Sequence, residues 1–177
     1  VAAHDLTYKG DFPLNTHGGM LSLERARSLW EAGVSQFNIS LDYTDGRHDT
    51  ERGIPSLTQK IFATVAAMRA DGIDAIRFNT VIKRGNLDHV LDVARTAHQL
   101  GAGVNFSVYT DFKNGNRDHL ILDGVVGQAE EVMRQLLEFK HVHRGVITNS
   151  DYYLEQIPRY LRGEMTERER YAVVGAE

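Results

Sequence analysis

Polar side chains alternate with apolar ones along residues 34–42, and their types suit hydrogen bonding to a small ligand. Asn38, Ser40 and Asp42 fall on one side of a predicted strand, because successive side chains of a strand point to opposite faces. A doubly wound sheet has helices on both faces, so its strands are apolar throughout. One polar face therefore favours a barrel whose inner face lines a ligand-holding lumen. The alternative is that these groups only bond to one another across an interior.

Two further predicted strands repeat this alternation. Residues 73–83 and 103–110 each carry a continuous apolar face. The side chains on the opposite face are Arg77, Asn79, Val81, Asn105, Ser107 and Tyr109. We predict Asn105, Ser107 and Tyr109 as substrate-binding residues, with the alternative for Tyr109 that it only fills the lumen.

Strands and helices alternate about five times along the chain. Capping residues and apolar spacing predict helices at residues 22–31, 56–72, 86–100, 125–140 and 150–161, the last interrupted by Pro158. Short strands are predicted at residues 12–16 and 145–148, and residues 43–55 are predicted to be a polar loop before a capping box at Ser56. This alternation is typical of parallel βαβ units. The predicted fold class is α/β, a partial (β/α) barrel of parallel strands with about five βα units.

The predicted domain division has three parts. Residues 1–21 form an N-terminal segment of uncertain origin, residues 22–162 form the partial barrel, and residues 163–177 form a charged, flexible tail. The chain begins with Val rather than Met, so a fragment of a longer protein is expected.

Composition excludes several classes of protein. The 177 residues are 42% hydrophobic and 25% charged, which is ordinary for a globular domain. With 20 Lys and Arg against 24 Asp and Glu, the net charge is −4, which argues against a nucleic-acid partner or an anionic membrane surface. No apolar run approaches the ~20 residues that a membrane span needs. A cytoplasmic location is expected.

The chain contains no cysteine. Within this chain, that excludes disulfides, thiolate metal ligands and a cysteine nucleophile. Eight histidines are present, but they show no HExxH or comparable ligand spacing, so no metal site is predicted. His48 and Asp49 either act as an acid–base pair or structure their loop. His141 and His143 close an amphipathic helix, where a solvated or helix-dipole role competes with metal binding.

The ordered strand motifs resemble those of the radical S-adenosylmethionine (radical SAM) family. The residues that carry the resemblance are Thr16-His17-Gly18, then Phe37-Asn-Ile-Ser-Leu-Asp42 with Gly46, His48-Asp49 and Arg52-Gly53, then Phe78-Asn-Thr-Val-Ile-Lys83 with Asn86. In that family, the strand that carries the Ile-Ser-Leu-Asp motif is followed by a loop with His-Asp and Arg-Gly. The next strand is followed by an asparagine before a helix. The resemblance covers roughly residues 15–163.

The resemblance implies an activity and a set of cofactor-binding residues. Radical SAM enzymes cleave SAM reductively to a 5′-deoxyadenosyl radical, which abstracts hydrogen from a substrate. Ser40 and Asp42 would contact the amino-acid part or the ribose of SAM. Thr16 would lie near the methionine moiety, and Asn79 at the same rim on the next strand. This fits the rule that active sites of such barrels lie at the carboxyl ends of the strands.

One part of the family pattern has no counterpart here. The family holds a 4Fe-4S cluster with three cysteines spaced Cys-x3-Cys-x2-Cys, and this chain has none. His17 also stands where the family usually has asparagine. The resemblance therefore implies SAM and a 4Fe-4S cluster for the parent family, no cluster in this chain, and a chain that is inactive by itself.

A second, shorter resemblance occupies residues 4–22. This stretch is similar to the C-terminal domain of thiolase-like proteins, which share its Pro-x-Asn-Thr-x-Gly-Gly-x-Leu-Ser pattern. The thiolase nucleophile is a cysteine, so no thiolase activity is inferred. A chimeric or artificial junction near residues 15–22 is one account of the overlap between the two resemblances.

Three functional hypotheses follow. The first is a radical SAM barrel fragment with SAM as its small-molecule partner. The second is a cluster-free βα domain that binds a ligand or a partner, including a second copy of itself in a homodimer through open barrel edges. The third is a barrel enzyme that uses acid–base chemistry of His48 and Asp42. The substrate stays unassigned, because barrels of one fold host unrelated chemistries.

Overall fold

Four parallel strands form one sheet in the order β1-β2-β3-β4. The structure, a computed structural model, describes residues 11–111, 115–166 and 168–170. The strands are β1 (Pro13–Thr16), β2 (Gln36–Ser40), β3 (Ile76–Ile82) and β4 (Gly103–Val108). Because each strand is added beside the one before it, all crossovers run the same way and their helices cover one face of the sheet. This is the winding of a (β/α) barrel, and it confirms the predicted α/β class.

The described residues contain six α-helices. They are α1 (Leu23–Glu31), α2 (Gly46–Arg52), α3 (Leu57–Ala70), α4 (Val90–Gln99), α5 (Val126–Val142) and α6 (Asp151–Leu161). Two short 3-10 helices lie at Arg84–His89 and Asp123–Val125. A strand predicted at residues 145–148 is reduced to an isolated parallel bridge between Val104 and Ile147. That bridge and α6 form the fifth, incomplete βα unit.

Two of the predicted helix starts are confirmed by their caps. Ser22 Oγ accepts the amide of Arg25 at 3.3 Å, and Ser150 Oγ accepts the amide of Tyr153 at 3.1 Å. Each serine thereby satisfies an amide that has no carbonyl partner within its own helix. Helix α6 also continues through Pro158 to Leu161, so the proline does not end it.

The predicted loop at residues 43–55 is wrong, because it contains helix α2. Asp45 begins this helix by accepting the amide of Arg47 at 3.0 Å, and Gly53 ends it in the left-handed conformation with φ 63°. The helix is polar on most of its surface, so it lacks the apolar spacing by which a helix is recognised.

The capping box predicted at Ser56 is also wrong. Ser56 has φ 59° and makes no side-chain cap. Instead, Asp49 of helix α2 accepts the amide of Thr58 at 2.7 Å and its hydroxyl at 2.6 Å. The first turn of α3 is therefore capped by a neighbouring helix rather than by its own serine.

The two faces of the sheet differ as the alternation predicts. The helix-covered face is built from side chains that are almost completely buried, chiefly Phe37, Ile39, Phe78, Ile82, Val104 and Phe106. The opposite face carries Asn38, Ser40, Arg77, Asn79 and Asn105, all of them half-buried. The hydrophobic core thus lies between the sheet and its helices, and the other face is open.

The β4 edge of the sheet is closed by the segment that follows α5. Val104 exchanges backbone hydrogen bonds with Val146 and Thr148 at 2.8 and 2.9 Å. One step further, the Asn149 side chain accepts the amide of Phe106 at 2.7 Å and donates to its carbonyl at 2.8 Å. A single side-chain amide therefore takes the place of the next strand at this point.

The first and third predicted parts of the chain are described only in part. Strand β1, inside residues 1–21, pairs with β2 from Pro13 to Thr16. Residues 1–10, which include residues 4–10 of the thiolase-like stretch, lie outside the described residues, as do 167 and 171–177 of the predicted tail. In the described part of that tail, Met165 is buried against the core.

Candidate functional site

A row of polar side chains crosses three strands of the sheet, at the carboxyl end of β2 and near the middle of β3 and β4. Ser40 of β2 is in register with Asn79 of β3, which is in register with Asn105 of β4. The three side chains share the open face and are half-buried. They make no hydrogen bond to any other described residue. Their donors and acceptors are therefore available to a ligand. We call these three residues the polar row.

The structure places Thr16 away from the polar row. Thr16 is in register with Ile39, a buried residue of the helix-covered face, so its side chain lies on the opposite side of the sheet. Its hydroxyl accepts the amide of Gly18 at 3.1 Å in the turn after β1. This difference could not be predicted from the sequence, because β1 has only four residues and shows no clear alternation of polar and apolar side chains.

Asp42 lies just beyond the end of β2, in the region where the carboxyl ends of β2 and β3 meet, which we call the mouth. Its carboxylate is already bound. Only 4% of the residue is exposed. One carboxylate oxygen accepts the amide of Val81 at 3.0 Å, and the other accepts the Arg52 guanidinium at 2.9 Å. The ion pair and the strand-to-strand bond hold the ends of β2 and β3 together with helix α2.

Asn86 connects the same strand ends from inside the protein. Its side-chain nitrogen donates to the carbonyls of Asp42 at 3.2 Å and Val81 at 2.8 Å, and its oxygen accepts the amide of Lys83 at 2.8 Å. Asn86 was expected to cap a helix at its own position, but it lies within the 3-10 helix and is fully buried. Side chains here replace backbone pairing where β2 and β3 diverge.

His48 is buried beneath this mouth. Its Nδ1 accepts the amide of Asp42 at 3.4 Å, which requires a neutral ring with the proton on Nε2. Nε2 has no hydrogen-bond partner among the described residues. Burial, with the nearby charge of Arg52, lowers the pKa of His48. The ring has no exposed surface, so this geometry favours the loop-structuring role over acid–base contact with a substrate.

A cleft of about 320 Å³ opens above Asp42, at the carboxyl ends of β3 and β4. It is lined by Asp42, Glu51, Arg52, Val81, Lys83, Tyr109, Asn116 and His119. The predicted residue Tyr109 therefore lies at the cleft, where its hydroxyl donates to the Asn116 carbonyl at 3.1 Å and its ring meets His119 edge-on. Ser107 is exposed on the open face, in register with Val81.

Lys83 and Glu51 form the second ion pair of the cleft. Lys83 is only 7% exposed, and its ammonium lies 5.3 Å from the centre of the Tyr43 ring. Burial alone would raise the pKa of Glu51, but the bond and charge of Lys83 outweigh it, so that pKa is lowered. Burial also raises the pKa of Tyr43 to about 12.

Sequence reasoning assigned no role to Glu51, Arg52, Lys83 or His119. A signal for Lys83 was present, because it continues the alternation of residues 77, 79 and 81 on the open face. Glu51 was missed because it belongs to the helix that was predicted to be a loop, and Arg52 was noted there only as part of the Arg-Gly motif.

The remaining histidine candidates do not form a metal site in the described residues. His141 Nε2 lies 2.9 Å from the Asp151 carboxylate. The His143 ring packs against those of Phe139 and His98, each with centroids 4.3 Å away. No helix in the described part of the chain is long and apolar enough to cross a membrane.

Comparison with known proteins identifies a class of relatives. A GTP 3',8-cyclase of Parasynechococcus marenigrum (strain WH8102) is 35% identical over 133 residues, which is 68% of this chain and 38% of that protein. One from Synechococcus sp. (strain WH7803) is 28% identical over 146 residues, 75% of this chain and 42% of that protein. One from Moorella thermoacetica is 40% identical over 101 residues, 54% of this chain and 30% of that protein. No family model matches the chain.

These relatives are radical SAM enzymes, and the similarity supports the radical SAM resemblance of the strand motifs. It lends no support to the thiolase-like resemblance. The parent family implies SAM and a 4Fe-4S cluster, and the present chain has no cysteine with which to hold such a cluster. The chain spans less than half the length of the curated relatives it matches.

Proposed function

We propose that this chain is the SAM-binding portion of a radical SAM barrel, and that the polar row contacts SAM. The observation that carries the proposal is the row itself, in which Ser40, Asn79 and Asn105 are aligned across the open face without partners among the described residues. The similarity to GTP 3',8-cyclases supports it independently. In a complete enzyme, bound SAM would supply a 5′-deoxyadenosyl radical for hydrogen abstraction.

The donor set of the polar row fits SAM. A hydroxyl and two carboxamides offer both donors and acceptors, which match the hydroxyls, amino group and carboxylate of SAM. Asp42 would act indirectly, because its carboxylate is engaged by Val81 and Arg52. Thr16, on the other face, would act only through the turn that it holds with Gly18.

The residues present do not fit a 4Fe-4S cluster. Such clusters are held by thiolates, and the chain has no cysteine. We therefore assign the cluster to residues outside this chain and assign no reductive cleavage to the chain alone. Reconstitution with iron and sulfide tests this: a 4Fe-4S absorption band at near-stoichiometric amounts would refute it.

Calorimetric titration with SAM tests the polar row. We expect weak binding, with a Kd on the order of 1 mM, and a roughly tenfold weaker Kd for Ser40→Ala or Asn79→Ala, because each removes a bond worth about 1.4 kcal/mol. Asn38→Ala is the matched control, since Asn38 lies on the same face but bonds to Asn15 at 3.0 Å. Equal affinity in all four proteins would refute the assignment.

The proposal does not extend to the substrate in the relatives' name, GTP, because the sequence similarity covers only part of those proteins. It also gives no role to the thiolase-like stretch of residues 4–22, since a thiolase needs a nucleophilic cysteine.

The alternative is a cluster-free domain that binds a ligand or a partner. The observation in its favour is the contrast between the sheet edges: residues 146–149 cover the β4 edge, whereas β1 pairs only with β2 among the described strands. Size-exclusion chromatography with light scattering discriminates the two. A cooperative monomer or dimer without SAM affinity would favour the alternative, and SAM binding sensitive to Ser40→Ala would favour the radical SAM assignment.

A further inference from the structure

We propose that Asn149 is a positioning residue for the polar row, and that it acts through Asn105. Asn149 lies beside the outer edge of β4, on the segment between helices α5 and α6. Its side chain holds the peptide unit that joins Asn105 to Phe106, and it thereby fixes the direction of the Asn105 side chain. This inference rests on the proposed function, because it takes Asn105 as a contact of SAM.

The backbone groups of β4 face the two neighbouring chain segments in alternation, as in any paired strand. Odd-numbered residues bond to β3, and this continues just past the end of β4, where the amide of Tyr109 donates to the Ile82 carbonyl at 2.9 Å. Even-numbered residues face the outer edge, where Val104 bonds to the backbone of residues 146 and 148. Phe106 is the next outward-facing residue, and a side chain binds its backbone groups.

That side chain is the carboxamide of Asn149. Its oxygen accepts the amide of Phe106 at 2.7 Å, and its nitrogen donates to the Phe106 carbonyl at 2.8 Å. The Phe106 side chain is buried in the core on the other face of the sheet. The Asn149 bonds therefore hold this part of β4 from the outer edge while the core holds it from below.

The bond to the Phe106 amide also determines the backbone angle of Asn105. This amide and the Asn105 carbonyl belong to one peptide unit, and a peptide unit is planar, so fixing its amide fixes the angle ψ of Asn105. The rotamers open to a side chain depend on φ and ψ. The Asn105 side chain makes no hydrogen bond to another described residue, so its direction depends on its backbone.

Asn149 is held firmly enough to serve as an anchor. It follows Thr148, which pairs with β4 through its backbone, and it precedes Ser150, which caps helix α6. With β3 on the opposite edge, β4 is thus held on both sides at the level where Asn79 and Asn105 are in register. A side chain that is already oriented loses less conformational entropy when a ligand binds, so Asn149 should strengthen binding without touching the ligand.

Calorimetric titration with SAM measures this effect. Asn149→Ala should raise the Kd about fivefold, because the Asn105 side chain then loses rotamer freedom on binding. Asn105→Ala alone should raise the Kd roughly tenfold. The double variant should match Asn105→Ala, since Asn149 has no effect once the side chain that it positions is gone.

Thr148→Val is the matched control on the same edge. It removes the hydroxyl bond of Thr148 to the Val104 carbonyl at 3.2 Å, but the backbone bond between the same two residues at 2.9 Å remains. The Kd for SAM should therefore stay unchanged in this variant.

The side-chain scalar couplings of Asn105, measured by NMR without SAM, report its rotamers directly. We expect one χ1 rotamer in the natural chain and an average over several in Asn149→Ala. This measurement separates the two proposals. If the natural chain does not bind SAM but shows this change, the SAM assignment of the polar row fails and the positioning of Asn105 by Asn149 stands.

Three results would overturn the inference. They are averaged Asn105 rotamers in the natural chain, an unchanged SAM Kd in a folded Asn149→Ala protein, and an equal loss of affinity when Asn149→Ala is added to Asn105→Ala. Asn149→Ser covers the case in which Asn149→Ala fails to fold. Its hydroxyl is too short to reach the backbone of Phe106, so the Asn105 couplings should average in this variant as well.

Discussion

The two faces of the sheet are made from alternate residues of the same strands, yet they differ in almost every physical respect. On the helix-covered face, Phe37, Phe78 and Phe106 are fully buried in contact with helices. On the open face, Ser40, Asn79 and Asn105 have polar groups without partners among the described residues. Burial of apolar surface stabilises the first face, whereas the second contributes little to folding and is free to bind. Stability and ligand recognition are thus assigned to neighbouring positions in the sequence.

The mouth of the barrel combines features of both faces. It is polar like the open face, but Asp42, Asn86 and His48 are buried like the core. Buried polar groups stabilise only when they are hydrogen-bonded, and here nearly all of them are. The mouth is therefore the part of the molecule where a polar substitution is expected to affect both stability and binding.

The largest effect is expected on the helix-covered face. Phe78→Ala should lower the free energy of unfolding by about 3–5 kcal/mol, because it leaves a cavity in the core. Urea denaturation measures this. Val81→Ala, on the opposite face of the same strand, should cost about 1 kcal/mol or less. Comparable losses for the two variants would contradict the division of roles between the faces.

A smaller loss is expected for Asn86→Ala at the mouth. The change leaves the amide of Lys83 and the carbonyls of Asp42 and Val81 without their partner, at a cost of about 2–3 kcal/mol. Asn38→Ala, at a half-buried position of the open face, is the matched control and should cost less than about 1 kcal/mol. Chemical denaturation measures both losses. A larger loss of unfolding free energy for Asn38→Ala than for Asn86→Ala would contradict a stabilising role of Asn86 at the mouth.

The pH dependence of stability should reveal His48. Its lowered pKa means that the unfolded chain takes up a proton before the folded protein does. Above the ordinary histidine pKa of about 6.5, His48 is neutral in both states and does not reduce the free energy of unfolding. As the pH drops below that value, the unfolded state binds the proton more readily and the free energy of unfolding falls. His48→Asn, which keeps an acceptor for the Asp42 amide, should show a flatter thermal-melting profile between pH 7 and 5. His141→Asn, at an exposed position, is the control. If its melting profile is flattened as much as that of His48→Asn, His48 is not the source of the pH dependence.

The smallest effect on stability is expected in the polar row. Asn79→Ala should change the free energy of unfolding by no more than about 0.5 kcal/mol, because its side chain makes no hydrogen bond to the described residues. The same variant should weaken SAM binding about tenfold. A large loss of stability in a thermal melt would show that the row is structural rather than free for a ligand.

Much of the fold was predictable because it depends on local patterns. Ser22 and Ser150 begin their helices as their types predict, and the alternation in β2, β3 and β4 assigned each side chain to its face. Helix α2 was not predictable in this way, because it has almost no apolar side to give a helical period. Its misassignment as a loop also hid Glu51, and it left the motif residue Arg52 without a structural role, although both residues line the cleft.

The sequence by itself determined the α/β alternation, the polar face of the strands, the absence of cluster cysteines and the radical SAM resemblance, since each depends on residue type and short-range spacing. Only the tertiary structure decided which polar residues are free and which are bound. Asp42 and Ser40 are two residues apart and on the same face, yet Asp42 is held by Val81 and Arg52 while Ser40 has no partner among the described residues. The reason is that the partners come from distant parts of the chain, and only folding brings them within hydrogen-bonding distance.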